Sequence, residues 1–490
     1  MRLRIMIVAF FSFVLFYASA SEAAPTQKGK KALPLSRTRI RPCTSHIEQI
    51  LKDSLFEQAF VGIKVISLKS GRVIYQQNAD KLMRPASNAK LLTTSAALGL
   101  LGRGFQLKTE VYVDSNFQKT ILIGPIFLKG YGDPLLKSAD LDTLARKLYD
   151  YGIRTVLGDI VGDVSYFDDV YWGHGWMWDD DPGTNVPYLS ALSVNANEIT
   201  VAVTSGEKEG DPVLAEMLPT TSYVSLINQA HTSADTALTP LKVTRRWKDR
   251  DNTVLVEGAV KPRSATTLYT INVWKPELYT LTLYKEKLSA YGITVTGAIR
   301  LDTVRHAFRV ASISHNLDSV AFLVNKESYN LGAENILKIL AAERYHTPGS
   351  AQLGTSIMKE YLAGIGMDTT ATIIADGSGV SRYNLVSPNA LVKLLTYEFW
   401  YSPESELFIQ SLPVSATDGT LEKRMTEGNA KGNVRAKTGT HSDASALSGY
   451  VTNARRGPLA FSILINHFGK DGESIRKLQD QIAEILVDCR

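Results

Sequence analysis

Ser87-Asn88-Ala89-Lys90-Leu91-Leu92-Thr93-Thr94-Ser95-Ala96-Ala97-Leu98-Gly99-Leu100-Leu101 is the stretch on which the reading of this chain turns. Leu91 to Leu101 is an apolar run that predicts a buried helix, and Ser87 stands at its opening. Lys90, three positions on, falls on the same helical face and within reach of the Ser87 hydroxyl. A serine at its free pKa is a poor nucleophile and needs a base. A lysine serves as that base only when burial and a neighbouring cation lower its pKa. A helix N-terminus also favours developing negative charge.

Two further motifs follow in order: Ser328-Tyr329-Asn330, which leads into the predicted helix from Leu331, and Lys437-Thr438-Gly439, followed by a predicted strand pair. Together the three read S-x-x-K, S-x-N and K-T-G. Each alone is weak. S-x-x-K recurs at Ser205/Lys208, Ser356/Lys359 and Ser474/Lys477, and Lys69-Ser70-Gly71 repeats the third motif in what reads as a hairpin turn. Order and context single out the chosen three. Ser328-Tyr329-Asn330 also reads as a helix N-cap.

The 490 residues exceed one ordinary core, and the formal charge of +5 is too mild to argue for nucleic acid. Met1 to Arg4 is basic, Ile5 to Tyr17 is apolar, and small residues follow at Ala18-Ser19-Ala20 and Glu22-Ala23-Ala24. This predicts a cleaved signal peptide over 1–24 and a secreted, periplasmic protein, with an uncleaved anchor as the alternative. Residues 25–44 form a basic leader. It reads as a solvated linker, with contact of residues 28–41 with a membrane surface or wall polymer as the alternative. Assembly as a homodimer is left open. The two cysteines, Cys43 and Cys489, suggest a disulfide in an oxidising compartment, against two unpaired thiols near the termini. Asp133, Asp159 and Asp163 stand beside glycines but in no calcium-loop or H-E-x-x-H pattern, so they read as turn aspartates. No metal and no cofactor are expected.

Beyond the first helix the chain is β-patterned, with strands predicted at Lys108 to Val113, Thr120 to Leu128, Thr253 to Glu257 and Leu268 to Val273. From 301 on, helix and strand alternate, ending in a helix with Ile475, Leu478, Ile482, Ile485 and Leu486 at helical spacing. Ser87 and Ser328 are 241 positions apart, so a large insertion must loop out of one catalytic domain.

The chain resembles the three-domain D-alanyl-D-alanine carboxypeptidase/endopeptidase family of penicillin-binding proteins, the peptidase S13 type. The resemblance runs from about residue 45 to the C-terminus. Besides the three motifs it rests on Gly130-Tyr131-Gly132-Asp133-Pro134, Gly158 to Asp163, Gly175-Trp176-Met177-Trp178-Asp179-Asp180, Leu189 to Asn195, Asp376-Gly377-Ser378-Gly379-Val380-Ser381-Arg382 and Asp418-Gly419-Thr420-Leu421. Tyr329 departs from it, since members more often carry Asn there.

The resemblance implies an α+β, penicilloyl-serine transferase (serine β-lactamase-like) fold, with a five-stranded antiparallel sheet flanked by helices. It implies a catalytic domain over 45–104 and 301–490, an inserted domain over 105–196 and 259–300, and a nested domain over 197–258. It implies cleavage of D-Ala-D-Ala, and also of D-Ala–diamino acid cross-links in some members, on peptidoglycan stem peptides, with acylation by β-lactams. Ser87 is then the nucleophile and Lys90 its base, with Lys437 as the cation that lowers the Lys90 pKa. Ser328 relays the proton, and Asn330 grips the substrate amide. Lys437 and Thr438 bind the terminal carboxylate, Gly439 leaves room for substrate, and the Ser87 and Thr440 amides form the oxyanion hole. Asp180 is assigned to a substrate side-chain amine, against a bland acidic surface loop. Arg382 stands near the site or in a structural ion pair. A serine β-lactamase and an inactive wall-binding scaffold are the competing readings.

Overall fold

Apolar residues run along the last two strands of the chain, and successive ones feed two different cores. In Ala444–Asn453 and Gly457–Asn466, Ala446, Tyr450, Ala460 and Leu464 join one apolar cluster, while Leu447, Val451, Phe461 and Ile463 join another. Successive strand side chains point to opposite faces, so a sheet with this pattern must be covered on both. The sheet runs Val73–Gln77, Phe60–Ser67, Gly457–Asn466, Ala444–Asn453, Val434–His441, antiparallel throughout, with the K-T-G strand at one edge. This is the five-stranded sheet that the resemblance implies.

The structure is a computed structural model that describes residues 41–114, 116–237, 239–469 and 471–488. The expected signal peptide, residues 25–40 of the basic leader and Cys489 lie outside the described residues. Arg41–Ile50 and Gly472–Asp488 cover one face of the sheet, through Ile47, Ile475, Ile482 and Leu486. Cys43 is buried in the same cluster and is disulfide-bonded. The other face carries Ala89–Leu101, Leu317–Lys326, Asn330–Tyr345 and Pro388–Trp400. The first of these is buried on every side from Ala89 to Leu98, its polar members included: Thr93 Oγ1 donates to Gly377 O at 2.6 Å and Thr94 Oγ1 to Lys90 O at 2.8 Å. It stops at Gly102, whose φ of 77° a side-chain-bearing residue rarely adopts.

The insertion leaves and returns through neighbouring strands. Gln106–Val113 pairs with Phe308–Asn316, Gln106 opposite Asn316, inside a second five-stranded sheet. That pairing closes the long loop and brings Ser87 and Ser328 to one place. It also carries the inserted sheet past residue 300, to Asn316. Farther out, Glu198–Thr204 pairs with both Leu214–Leu218 and Thr267–Asn272, so these strands bridge the expected division between the inserted and nested parts. The single strand predicted over 120–128 is two, Ile121–Ile123 and Ile126–Gly130. The break falls at Gly124-Pro125, where proline has no N–H for the ladder. Asp133, Asp159 and Asp163 pair with His315, Arg300 and Lys129. No helix among the described residues is long and apolar enough to cross a membrane.

Candidate active site

Ser87 sits in the tight turn Ala86–Asn88 that opens the buried helix. Ala86 takes a left-handed φ of 45°, and the turn is pinned to the edge strand because Asn88 Nδ2 donates to Lys437 O at 3.0 Å. The strand comes this close only because residue 439 is glycine. A Cβ there would stand 2.7 Å from Pro85 O and 3.0 Å from Ser87 N. Gly439 therefore clears space for the turn that carries Ser87, and it also lines the cavity where substrate is expected.

Lys90 Nζ is fully buried and donates to Ser87 Oγ at 2.9 Å, Asn330 Oδ1 at 2.5 Å and Ser378 O at 2.6 Å. Burial pushes its pKa down to about 7, against the charges of Asp376 and Glu334, which favour the cation. Lys437 is also fully buried. Its pKa is held well below the usual lysine range by burial and then by Lys90. Burial is thus the largest cause for both lysines, and repulsion between the two cations adds to it. Lys437 Nζ donates to Thr438 O at 3.0 Å.

A cavity of about 440 Å³ opens above these lysines. Ser87, Ser328, Asn330, Thr438, Gly439 and Thr440 line it, and so do Asp180 and Arg382. Ser328 is held at a φ of 61°, and among the described residues no hydrogen bond joins it to Lys90 or Ser87. The helix Asn330–Tyr345 begins without a side-chain cap, so the N-cap reading of Ser328 and Asn330 is not realised. Asn330 Nδ2 donates to Asn185 O of the insertion. Tyr329 turns away and donates to Pro134 O at 2.7 Å. Asp180 accepts from its own turn, Met177 N, at 2.9 Å. Arg382 makes no ion pair among the described residues, and its charge holds down the pKa of His441, which burial already lowers.

Several site residues were not singled out by the sequence. Glu327, His441 and Thr420 line the same cavity, and Thr438 Oγ1 donates to Thr420 Oγ1 at 2.7 Å. Beneath it, Glu334 accepts from Gly377 N at 3.1 Å and Ser378 N at 2.7 Å, and burial raises its pKa to about 7. It thereby fixes the loop whose Ser378 carbonyl receives Lys90. Asp376 and Thr420 did lie in quoted motifs, but nothing in their spacing gave them a partner. Among the described residues no cluster of His, Cys, Asp and Glu could hold a metal ion.

Residues 43–488 match the D-Ala-D-Ala carboxypeptidase 3 (S13) family. The chain is 33% identical over 468 residues to a D-alanyl-D-alanine carboxypeptidase of Actinomadura sp. (strain R39), covering 92% of this chain and 86% of that protein. It superposes on the crystal structure of penicillin binding protein 4 from Haemophilus influenzae with a TM-score of 0.80 at 27% identity, over 90% of this chain and 98% of that one. The same protein complexed with a novel β-lactam superposes with a TM-score of 0.75 at 25% identity, over the same shares.

Proposed function

The chain belongs to the D-Ala-D-Ala carboxypeptidase 3 (S13) family, and we propose that it cleaves the terminal D-Ala of peptidoglycan stem peptides through an acyl-enzyme on Ser87. The observation that supports this most is Lys90 Nζ, buried, near neutrality in pKa and 2.9 Å from Ser87 Oγ. Neutral Lys90 takes the Ser87 proton as Oγ attacks the carbonyl carbon. The Ser87 and Thr440 amides face the oxyanion. The C–N bond then breaks, and the proton passes from Lys90 through Ser328 to the leaving amine. Water hydrolyses the ester and restores Ser87.

Lys437 and Thr438 hold the carboxylate of the leaving residue, and the substrate lies along the edge strand Val434–His441. Asp180 and Arg382 serve the acyl side, Asp180 taking a side-chain amine. D-Ala–diamino acid cross-links are cut by the same steps. Penicillins acylate Ser87 likewise, but their amine stays tethered. The basic and apolar N-terminal segments, with a disulfide at Cys43, support action outside the cytoplasm.

The test is incubation with fluorescent penicillin followed by a hydroxylamine chase. A long-lived ester on Ser87, together with D-Ala release from a D-Ala-D-Ala peptide, is expected. Rapid turnover of the penicillin would make the protein a β-lactamase, and no adduct would make it a scaffold.

A further inference from the structure

We propose that a two-chamber subsite beyond Ser328 receives the side chain of the departing D-amino acid, with Glu198 favouring a long side chain that ends in a cation. The inference rests on the D,D-peptidase reading above. It adds a leaving-group specificity that the catalytic motifs do not specify.

A chamber of about 120 Å³ shares Asn185, Glu327, Ser328 and Asn330 with the catalytic cavity and reaches Ala196 and Glu198. A second, of about 290 Å³, shares Ala196, Glu327 and Tyr329 with the first and is walled by Leu135, Leu136 and Leu323. The two form one path leading away from Ser87. Its direction follows from Ser328, the residue assigned to pass the proton to the leaving amine, which lines both the catalytic cavity and the first chamber. Asp180, Arg382 and His441 line the catalytic cavity and neither chamber. A D-residue whose carboxylate rests on Lys437 and Thr438 would turn its side chain into this path.

Glu198 supplies the chemistry. It is half-buried, and among the described residues its carboxylate has no hydrogen-bond or ion-pair partner. Burial alone pushes its pKa up to about 7. A carboxylate removed from water with nothing to compensate it is stabilised by an incoming cation. Glu327 adds a second negative charge at the junction of the chambers. The other charged lining residue, Lys137, is exposed at the far chamber.

The wall is also built under strain. Asn195, Ala196 and Asn197 take consecutive left-handed φ values of 49°, 58° and 60°, opposite Ser328 at 61°. Such runs of non-glycine residues persist only where their surroundings impose them. Here Asn195 is tied to Ser138 in both directions, at 2.8 and 2.9 Å, and Asn197 donates to Tyr188 O at 2.8 Å. The chamber is thus preformed, as a specificity pocket should be.

The experiment measures kcat/KM for diacetyl-Lys-D-Ala-D-X peptides with X as Ala, Lys, norleucine or Glu. D-Lys should exceed D-norleucine by roughly ten-fold, the scale of one partly desolvated charge pair, with D-Glu slowest. In Glu198→Gln the D-Lys to D-norleucine ratio should fall toward one. Leu323→Trp, narrowing the second chamber, should slow both long residues relative to D-Ala. A wild-type ratio near one, or a ratio that Glu198→Gln leaves in place, overturns the subsite while D-Ala-D-Ala turnover keeps the peptidase reading intact. Failure of D-Ala release and of penicillin acylation together would overturn both.

Discussion

Trp176 donates its indole N–H to the carboxylate of Asp376 at 2.9 Å, joining residues 200 positions apart. The same carboxylate accepts from Gly379 N at 2.8 Å, Ser381 N at 2.6 Å and Asn384 Nδ2 at 2.7 Å. Asp376 thereby shapes the loop whose Ser378 carbonyl receives Lys90. This buried hydrogen bond, with that of Asn330 to Asn185 O, ties the insertion to the surroundings of the base.

Trp176→Phe keeps an aromatic ring and removes that donor. A hydrogen bond to a charged group contributes about 1.5–3 kcal/mol, so the variant should unfold at lower temperature and acylate with penicillin more slowly. An unchanged melting temperature and acylation rate would show that the insertion does not support the base.

Ser87→Ala should abolish covalent penicillin labelling and leave the thermal unfolding transition in place. Ser205→Ala, Ser356→Ala and Ser474→Ala, each at another S-x-x-K, should label normally. Loss of labelling in one of those three, with labelling kept in Ser87→Ala, would move the nucleophile.

The two buried groups near pKa 7 give opposite pH signatures. Lys90 must be neutral to act, so the second-order rate of acylation should rise with pH through about 7 and level above it. The lowered Lys90 pKa makes its folded cation costly below about 7, a cost relieved as pH rises toward 10.5. Glu334 is raised from 4.5 to about 7, so its contribution to stability is full below 4.5 and lost as pH rises through 7. Glu334→Gln should therefore gain melting temperature relative to the parent protein between about pH 5 and 8. A constant difference across that range would remove Glu334 as the titrating group.

Asp180→Asn should slow hydrolysis of stem peptides with a charged side-chain amine more than it slows acylation by simple penicillins. The pair is partly exposed, so the change should stay under about 1 kcal/mol, or a few-fold in kcat/KM. An unaltered ratio of peptide to penicillin reactivity would return Asp180 to a surface role.

Reduction should lower the unfolding temperature, because Cys43 is buried against the C-terminal helix core and disulfide-bonded. A bond closing so long a loop contributes several kcal/mol in the chain-entropy model. Peptide mapping should recover Cys43 linked to Cys489; two alkylatable thiols in the folded, unreduced protein would reject the bond.

Much of this molecule is legible in its linear pattern. Ser87 and Lys90 share a helical face because they are three residues apart, and the apolar run from Leu91 obliges that helix to be buried. The apolar runs of the last two strands and the spacing of Ile475, Ile482 and Leu486 point to the sheet and the helix that covers it. These are local periodicities, and a local code can be read without knowing what lies opposite. The break at Gly124-Pro125 could have been read in the same way.

Contacts between distant segments carry no such code. Nothing in the order of residues states that Gly439 faces the Ser87 turn, that Glu334 holds the Ser378 loop, or that Asn330 meets Asn185. Each depends on the closure of the insertion, where Gln106–Val113 and Phe308–Asn316 pair side by side. The electrostatics follow the same division. The presence of two lysines was evident from the sequence. That burial lowers the Lys90 pKa to about 7 was decided by the tertiary structure, because desolvation depends on how much of the rest of the chain packs around the amine.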